Sequence, residues 1–149
     1  AERKRIGSNG AIYTQALSTS GFLMAEITNS HLGNDSTGTA DITFTVTFTN
    51  TSGVYDSFQV MLYLTHAGNS SPIEHAQVMV EGYQRSSSVL GVATTTVVGD
   101  ARPISTSSSG LVLTITVQSE GSSTATQGAY ARAIGAYYGI ASIAAGNSS

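Results

Sequence analysis

A strict alternation of apolar residues and threonine in residues 41–48, DITFTVTF, limits the possible folds more than any other feature of this chain. Every second position holds an apolar residue (Ile42, Phe44, Val46 and Phe48), and threonine fills the positions between them. Successive side chains of a β-strand point to opposite faces, so this period of two predicts a strand with one face on a core. β-Branched and aromatic residues favour the same extended backbone.

The same period recurs along the chain, with Gly, Ser and Asn between the repeats, as is typical of strands and turns. Apolar residues take every second position in residues 58–64, 76–80 and 111–117. A further strand is interrupted by Gly91, which predicts a break or bulge there. Residues 10–31 predict two more strands, and no segment predicts a long amphipathic helix. We therefore expect an all-β protein, an antiparallel, jelly-roll-like β-sandwich of about eight strands.

The length of 149 residues fits one domain with a core of its own. We expect an N-terminal arm or linker at 1–9, a single β-sandwich domain at 10–146 and a short tail at 147–149. Charged residues make up only 10 % of the chain, and three of its six basic residues lie within the first five positions. The remainder has no basic stripe of the kind that nucleic acid binding requires, so we expect no nucleic acid partner.

The closing stretch AYARAIGAYYGIASIAAG, residues 129–146, carries a single charge, at Arg132. Its glycines and its arginine argue against a membrane span, and we expect no membrane insertion. As a strand, its first half places Tyr130, Arg132 and Ile134 on one face and only Ala and Gly on the other. Such a face admits another backbone closely, and either the opposite sheet or a neighbouring subunit would cover it. The candidate residues for an oligomer interface are Met61, Tyr63, Ala131, Ala133 and Gly135.

The sequence contains no motif that indicates a catalytic or metal-binding site. The chain has no cysteine, and its three histidines do not show the spacing of a metal site. No Gly-x-Ser-x-Gly motif indicates a nucleophilic serine. The aspartates and glutamates are scattered along the sequence and do not indicate the pair of carboxylates that a glycosidase uses. We therefore expect no enzyme activity, no catalytic residues, no metal and no cofactor.

Two short segments next to predicted turns carry residues suited to binding a sugar. Tyr55 and Asp56 form one, and Tyr83, Gln84 and Arg85 form the other. Tyrosine offers an amphipathic face with little entropy to lose, and amide and charged groups exchange hydrogen bonds with hydroxyls. These five residues are the candidate ligand-binding residues. The alternative is that the two tyrosines only pack over the rim of the core.

In style, the chain resembles the distal β domains of bacteriophage tail fibres and tailspikes and related viral fibre heads. The resemblance covers IGSNGAIYTQALSTSGFLMAEI, DITFTVTFTNTSG and the closing Ala/Gly/Tyr strand. It implies a homotrimeric virion protein that attaches to a host cell-surface glycan, where several weak sites act together. The alternatives are an extracellular carbohydrate-binding module or adhesin domain of a secreted bacterial protein, and a purely structural virion protein.

Overall fold

The structure is a computed structural model that describes residues 3–6, 12–15, 23–32, 36–38, 40–67, 74–99, 101–119, 122–135 and 140–148; the side chains it describes lie within 40–65, 75–99, 101–119, 128–135 and 140–146. Within these ranges every regular element is a β-strand. The strands are β1 (Arg3–Ile6), β2 (Ile12–Gln15), β3 (Leu23–Leu32), β4 (Ser36–Gly38), β5 (Asp41–Phe48), β6 (Tyr55–Ala67), β7 (Glu74–Arg85), β8 (Ser88–Val98), β9 (Ile104–Ser109), β10 (Val112–Val117), β11 (Ser122–Gly135) and β12 (Ile140–Ser148).

The strands form two antiparallel sheets, one of eight strands and one of four, and four strands of each sheet form the two layers of the sandwich. The larger sheet has the order β11-β6-β7-β8 and continues beyond β11 through β3, β2 and β1, while β4 also pairs with β11. The smaller sheet has the order β12-β5-β10-β9. In the larger sheet β6, β7 and β8 follow one another and β11 returns to lie beside β6, which is the order of a Greek key. The expected all-β sandwich is confirmed.

The core lies between the two sheets, and the alternating positions of the sequence fill it. Ile42, Phe44 and Val46 of β5 are completely buried, while the threonines between them are half-buried. The rings of Phe48 and Phe58 pack with centroids 4.5 Å apart and join the two sheets. The remaining core residues from the larger sheet are Val60, Leu62, Leu64, Ala76, Val78, Val80, Val89, Ala129, Ala131 and Ala133, and those from the smaller sheet are Leu113, Ile115, Val117, Ile140 and Ile143.

The closing stretch is divided between two strands in different sheets. β11 ends at Gly135 and lies between β3 and β6, whereas β12 begins at Ile140 and pairs with β5. Ala129, Ala131 and Ala133 face the core, and Tyr130 and Ile134 lie half-buried on the opposite face. Cα atoms of β12 come within 8 Å of those of β11 and of its neighbour β3, closer than the roughly 10 Å usual between packed sheets. The small residues of β11 are consistent with this close approach.

Two expected boundaries differ from the structure. β1 begins at Arg3 and pairs with β2, so residues 3–6 are part of a sheet rather than a free arm. β12 runs to Ser148, which pairs with Asp41, so the last strand includes most of the expected tail. In both places backbone hydrogen bonding to a neighbouring strand extends the sheet beyond the limits indicated by the hydrophobic pattern.

β8 and β9 are the edge strands on one side of the sandwich. Val89 is the only fully buried residue of β8, and residues 93–98 are exposed on both faces. The expected bulge is present: Tyr83 pairs with Leu90, so a regular register would pair Glu81 with Val92, but Glu81 pairs with Ala93, and β8 therefore has one extra residue here. Gly91 has a positive φ of 60°, the conformation in which glycine begins this kind of bulge.

Candidate functional site

The register between β6 and β7 brings the two candidate binding segments together. Tyr55 pairs with Arg85, Asp56 with Gln84, and Ser57 with Tyr83. All five candidate ligand-binding residues therefore lie at one end of the larger sheet, although about thirty residues separate the segments in the sequence. Nothing in either segment alone indicates this register.

The alternation of the strands divides these five residues between two faces. Tyr55, Tyr83 and Arg85 point to the outer face, the surface of the larger sheet that faces away from the smaller sheet, and they are exposed. Asp56 and Gln84 point inward and are 3 % and 1 % exposed. Gln84 Nε2 donates a hydrogen bond to Asp56 Oδ2 at 3.4 Å. The structure corrects the prediction that these two residues contact a ligand, because they lie beneath the surface.

The rings of Tyr55 and Tyr83 form a surface that we call the tyrosine platform. Their centroids are 5.6 Å apart and the rings are tilted by 57°. Tyr55 is 60 % and Tyr83 39 % exposed, so much of each ring is open to solvent. Offset and tilted ring pairs of this kind are stabilising and keep both rings in defined positions.

Arg85 borders the platform and is held by two hydrogen bonds. Its Nη1 donates to Tyr55 Oη at 3.1 Å, and its Nε donates to the carbonyl oxygen of Gly53 at 3.4 Å. The guanidinium carbon lies 4.9 Å from the centroid of the Tyr55 ring, within the range of a cation–π contact. Arg85 therefore fixes Tyr55 and places a positive charge at the rim of the platform.

Exposed apolar side chains are concentrated at this end of the sheet. Of the seven large hydrophobic residues exposed in the described part of the chain, Val54, Tyr55, Tyr83 and Leu90 belong to the platform or to the positions next to it. The other three are Tyr63, Val97 and Val98. Contiguous exposed apolar surface is more informative than isolated exposed residues, because it commonly marks a binding surface.

A tight turn before Tyr55 supports the platform. Ser52 and Gly53 have φ values of 51° and 87°, and Val54 N donates to the carbonyl oxygen of Thr51 at 3.1 Å, which together match a type I′ turn. Thr51 is completely buried, and its Oγ1 accepts a hydrogen bond from Ser86 N at 2.7 Å. The turn before β6 is thus tied to the hairpin between β7 and β8. The sequence NTSG indicates a turn, but not that Thr51 connects these two loops.

The bulge in β8 makes room for the Tyr83 ring. A Cβ atom built on Gly91 would lie 2.4 Å from Tyr83 Cε1, far inside van der Waals contact. The ring therefore covers the backbone of Gly91 at a position where other residues have a side chain. Sequence reasoning identified the bulge from its glycine, but not the dependence of Tyr83 on it.

The five residues considered for an oligomer interface also divide between two faces. Ala131 and Ala133 have no exposed surface and Gly135 is buried, so the opposite sheet within the same chain covers them. The structure thus corrects their assignment to a subunit contact. Met61 and Tyr63 lie on the outer face, where the rings of Tyr63 and Tyr130 pack with centroids 5.7 Å apart.

The described residues form neither a metal-binding cluster nor a helix that could span a membrane. Among the described residues, no three histidine, aspartate or glutamate side chains lie close enough together to hold a metal ion. In the same part of the chain, no helix has the length and hydropathy of a membrane span.

Comparison with known proteins identified no relative of this chain. Models of protein families, curated proteins and solved structures were each compared with the chain, and none of the three comparisons gave a match.

Proposed function

We propose that this domain is a noncatalytic binding domain that holds a saccharide unit on the tyrosine platform. The observation that supports the proposal most strongly is the pair of solvent-exposed, mutually packed rings of Tyr55 and Tyr83. The apolar C–H faces of a sugar ring fit an aromatic face, and the phenolic hydroxyls and Arg85 offer hydrogen bonds to sugar hydroxyls. Buried residues beneath the platform and the turn at Thr51 hold it in place, which lowers the entropic cost of binding.

A platform of this size supports weak binding at a single site. Two partly exposed rings and a few hydrogen bonds correspond to a dissociation constant on the order of 1 mM, after the cost of association is included. A protein that must remain on a cell surface needs several such sites at once. We propose that the domain belongs to a homotrimeric viral fibre or tailspike, in which three platforms engage a host glycan together.

Within this proposal, the middle of the outer face forms the contact between subunits. Met61 is half-buried and Tyr63 is 37 % exposed in the single chain. Tyr63 lies eight residues from Tyr55 along β6, which is roughly 26 Å at about 3.3 Å per residue. A subunit contact around Tyr63 would therefore leave the tyrosine platform free for a ligand.

The binding site is tested with monovalent oligosaccharides, so that assembly does not affect the result. We expect Tyr83→Ala and Tyr55→Ala to weaken single-site binding at least tenfold, as measured by NMR titration. The matched control is Tyr63→Ala, because Tyr63 also lies on the outer face and packs against a second tyrosine with similar geometry. Equal loss in Tyr63→Ala and Tyr83→Ala would contradict the assignment of the site, and a full glycan array without any signal would favour a purely structural protein.

The assembly is tested separately by native mass spectrometry. A trimer that dissociates in Met61→Lys and Tyr63→Lys variants supports the fibre proposal. A stable monomer that binds glycan contradicts it and favours a carbohydrate-binding module or adhesin domain.

A further inference from the structure

We propose that the tyrosine platform selects saccharides that carry a carboxylate, such as uronic or sialic acid units, and that Arg85 binds this carboxylate. The inference rests on the proposed function, since it names the class of sugar that the same site takes. The structural observation behind it is a fixed guanidinium at the rim of an aromatic surface, with no carboxylate beside it among the side chains that the structure describes.

Arg85 keeps hydrogen-bond donors available for a ligand. A guanidinium has five N–H donors, and the described residues accept from two of them, Nε–H and one hydrogen of Nη1. Three N–H groups remain, one on Nη1 and both on Nη2. A planar guanidinium matches the two oxygens of a carboxylate better than it matches a single sugar hydroxyl.

The surroundings of Arg85 contain no competing negative charge in the part of the chain whose side chains are described. Asp56 is adjacent to Tyr55 in sequence, but it points into the core and is bonded by Gln84. The next acidic residue along β7 is Glu81, which lies four residues from Arg85, roughly 13 Å away. No ion pair involves Arg85 among the described residues, so an anionic ligand would meet an uncompensated positive charge.

The orientation of Arg85 is fixed before any ligand arrives. Its bond to the Gly53 carbonyl anchors it to the type I′ turn, and its bond to Tyr55 Oη anchors it to the platform. A guanidinium held in this way loses little freedom on binding, and preorganisation of this kind increases affinity. A sugar ring placed on Tyr55 and Tyr83 therefore brings a ring carboxylate within reach of a prepositioned partner.

The experiment compares acidic oligosaccharides with the same compounds after reduction of the carboxyl group to a primary alcohol. The probes are short oligomers containing glucuronate, galacturonate or sialic acid, each beside its reduced neutral form, and a neutral oligosaccharide with one sulfate. We expect at least one acidic probe to bind the wild-type protein about tenfold more tightly than its reduced form and than the sulfated probe, by NMR titration. Arg85→Gln should bring the acidic-to-neutral ratio close to one, and binding of the neutral form should weaken by a smaller factor than binding of the acidic form, since Arg85 also holds Tyr55.

Two further variants test whether the planar donors of Arg85 and the position of its charge determine the preference. Arg85→Lys keeps the charge without the planar pair of donors, and we expect it to retain only part of the preference. Arg102→Gln removes the same charge near the smaller sheet, where Arg102 Nη1 donates to the carbonyl oxygen of Gln118, and should leave the preference unchanged. Thermal unfolding of each variant shows whether the fold is retained.

The possible failures distinguish this inference from the proposed function. Equal binding of acidic and reduced probes, with loss of both in Tyr83→Ala, overturns the carboxylate assignment and leaves the saccharide platform standing. Binding of the sulfated probe as tight as that of the acidic probes shows selection for any anion and also overturns the assignment. Absence of binding by every probe, or binding that Tyr83→Ala does not change, contradicts the proposed function itself.

Discussion

The substitution Gly91→Ala directly tests how the β8 bulge supports the tyrosine platform. Gly91 has a φ of 60°, and its missing side chain leaves the space in which the Tyr83 ring lies. Alanine would introduce two changes at once. Its backbone would be strained by the left-handed conformation, and its methyl group would overlap the Tyr83 ring. The two effects are separable because another glycine has the same backbone conformation in open surroundings.

The expected cost follows from the geometry. The left-handed conformation costs an alanine roughly 1–2 kcal/mol. The new Cβ lies 2.4 Å from Tyr83 Cε1, so the ring must withdraw by about 1 Å to reach ordinary contact distance. The exposed ring can swing toward solvent, but it then loses its packing against Tyr55, worth about 0.5–1.5 kcal/mol. We expect Gly91→Ala to lower the free energy of unfolding by about 2–3 kcal/mol.

Gly110→Ala is the matched control. Gly110 has a φ of 57°, and its nearest neighbour to a built Cβ is the carbonyl oxygen of Ser87 at 3.6 Å, an ordinary contact. In this variant the free energy of unfolding should fall only by the cost of the left-handed conformation, about 1–2 kcal/mol. A second control is the Tyr83→Ala background, in which Gly91→Ala should cost the same smaller amount because the ring is gone.

Urea denaturation of the wild-type protein, the three single variants and the Tyr83→Ala, Gly91→Ala double variant provides the measurement. A coupling energy near 1 kcal/mol between positions 83 and 91 supports the described contact. Equal costs for Gly91→Ala in both backgrounds, or for Gly91→Ala and Gly110→Ala, would refute the reasoning, since the ring would then not occupy the space beside Gly91.

Three other predictions concern the core, the turn and the sheet edge. Ala133→Phe overpacks the core and should lower the free energy of unfolding by about 1–3 kcal/mol at every protein concentration; a loss that diminishes at high concentration would indicate a subunit contact instead. Thr51→Val removes the acceptor for Ser86 N and should cost about 1–3 kcal/mol, whereas Thr51→Ser should cost clearly less by thermal unfolding; equal losses would mean that this hydrogen bond contributes nothing. Thr95→Lys places a charge on the exposed edge strand and should reduce aggregation in light scattering without changing the melting temperature; unchanged aggregation would show that copies do not associate through this edge.

Local pattern in the sequence was sufficient to predict the faces of the strands. Apolar alternation placed Phe44 and Ile115 in the core, and the buried positions of β5 and β10 agree with it. The same rule could have placed Asp56 inward, because it shares its parity with the buried Phe58. Composition near turns singled out Asp56 as a ligand residue, whereas the strand period decides where its side chain points.

Relations between distant segments were beyond the reach of the sequence. The platform depends on a register that sets Tyr55 opposite Arg85, and hydrogen bonding and packing of whole strands determine that register. The small residues of β11 were compatible with either a second sheet or a second subunit, because both present a close backbone. Only the packing of the smaller sheet against this face, which buries Ala129, Ala131 and Ala133, distinguishes the two.

The pairing of early strands with late strands has a consequence for synthesis of the protein. β5 pairs with β12 and β6 pairs with β11, so Asp41 meets Ser148 and Phe58 meets Gly135. At a translation rate of about 5–20 residues per second, roughly 3–20 s pass between the synthesis of β5 and β6 and the synthesis of these partner strands. During this interval their apolar faces have no complete core to enter, and the long-range pairing also makes folding slow. Yield in a recombinant host should therefore depend on translation speed and chaperone supply more than on the final stability of the sandwich.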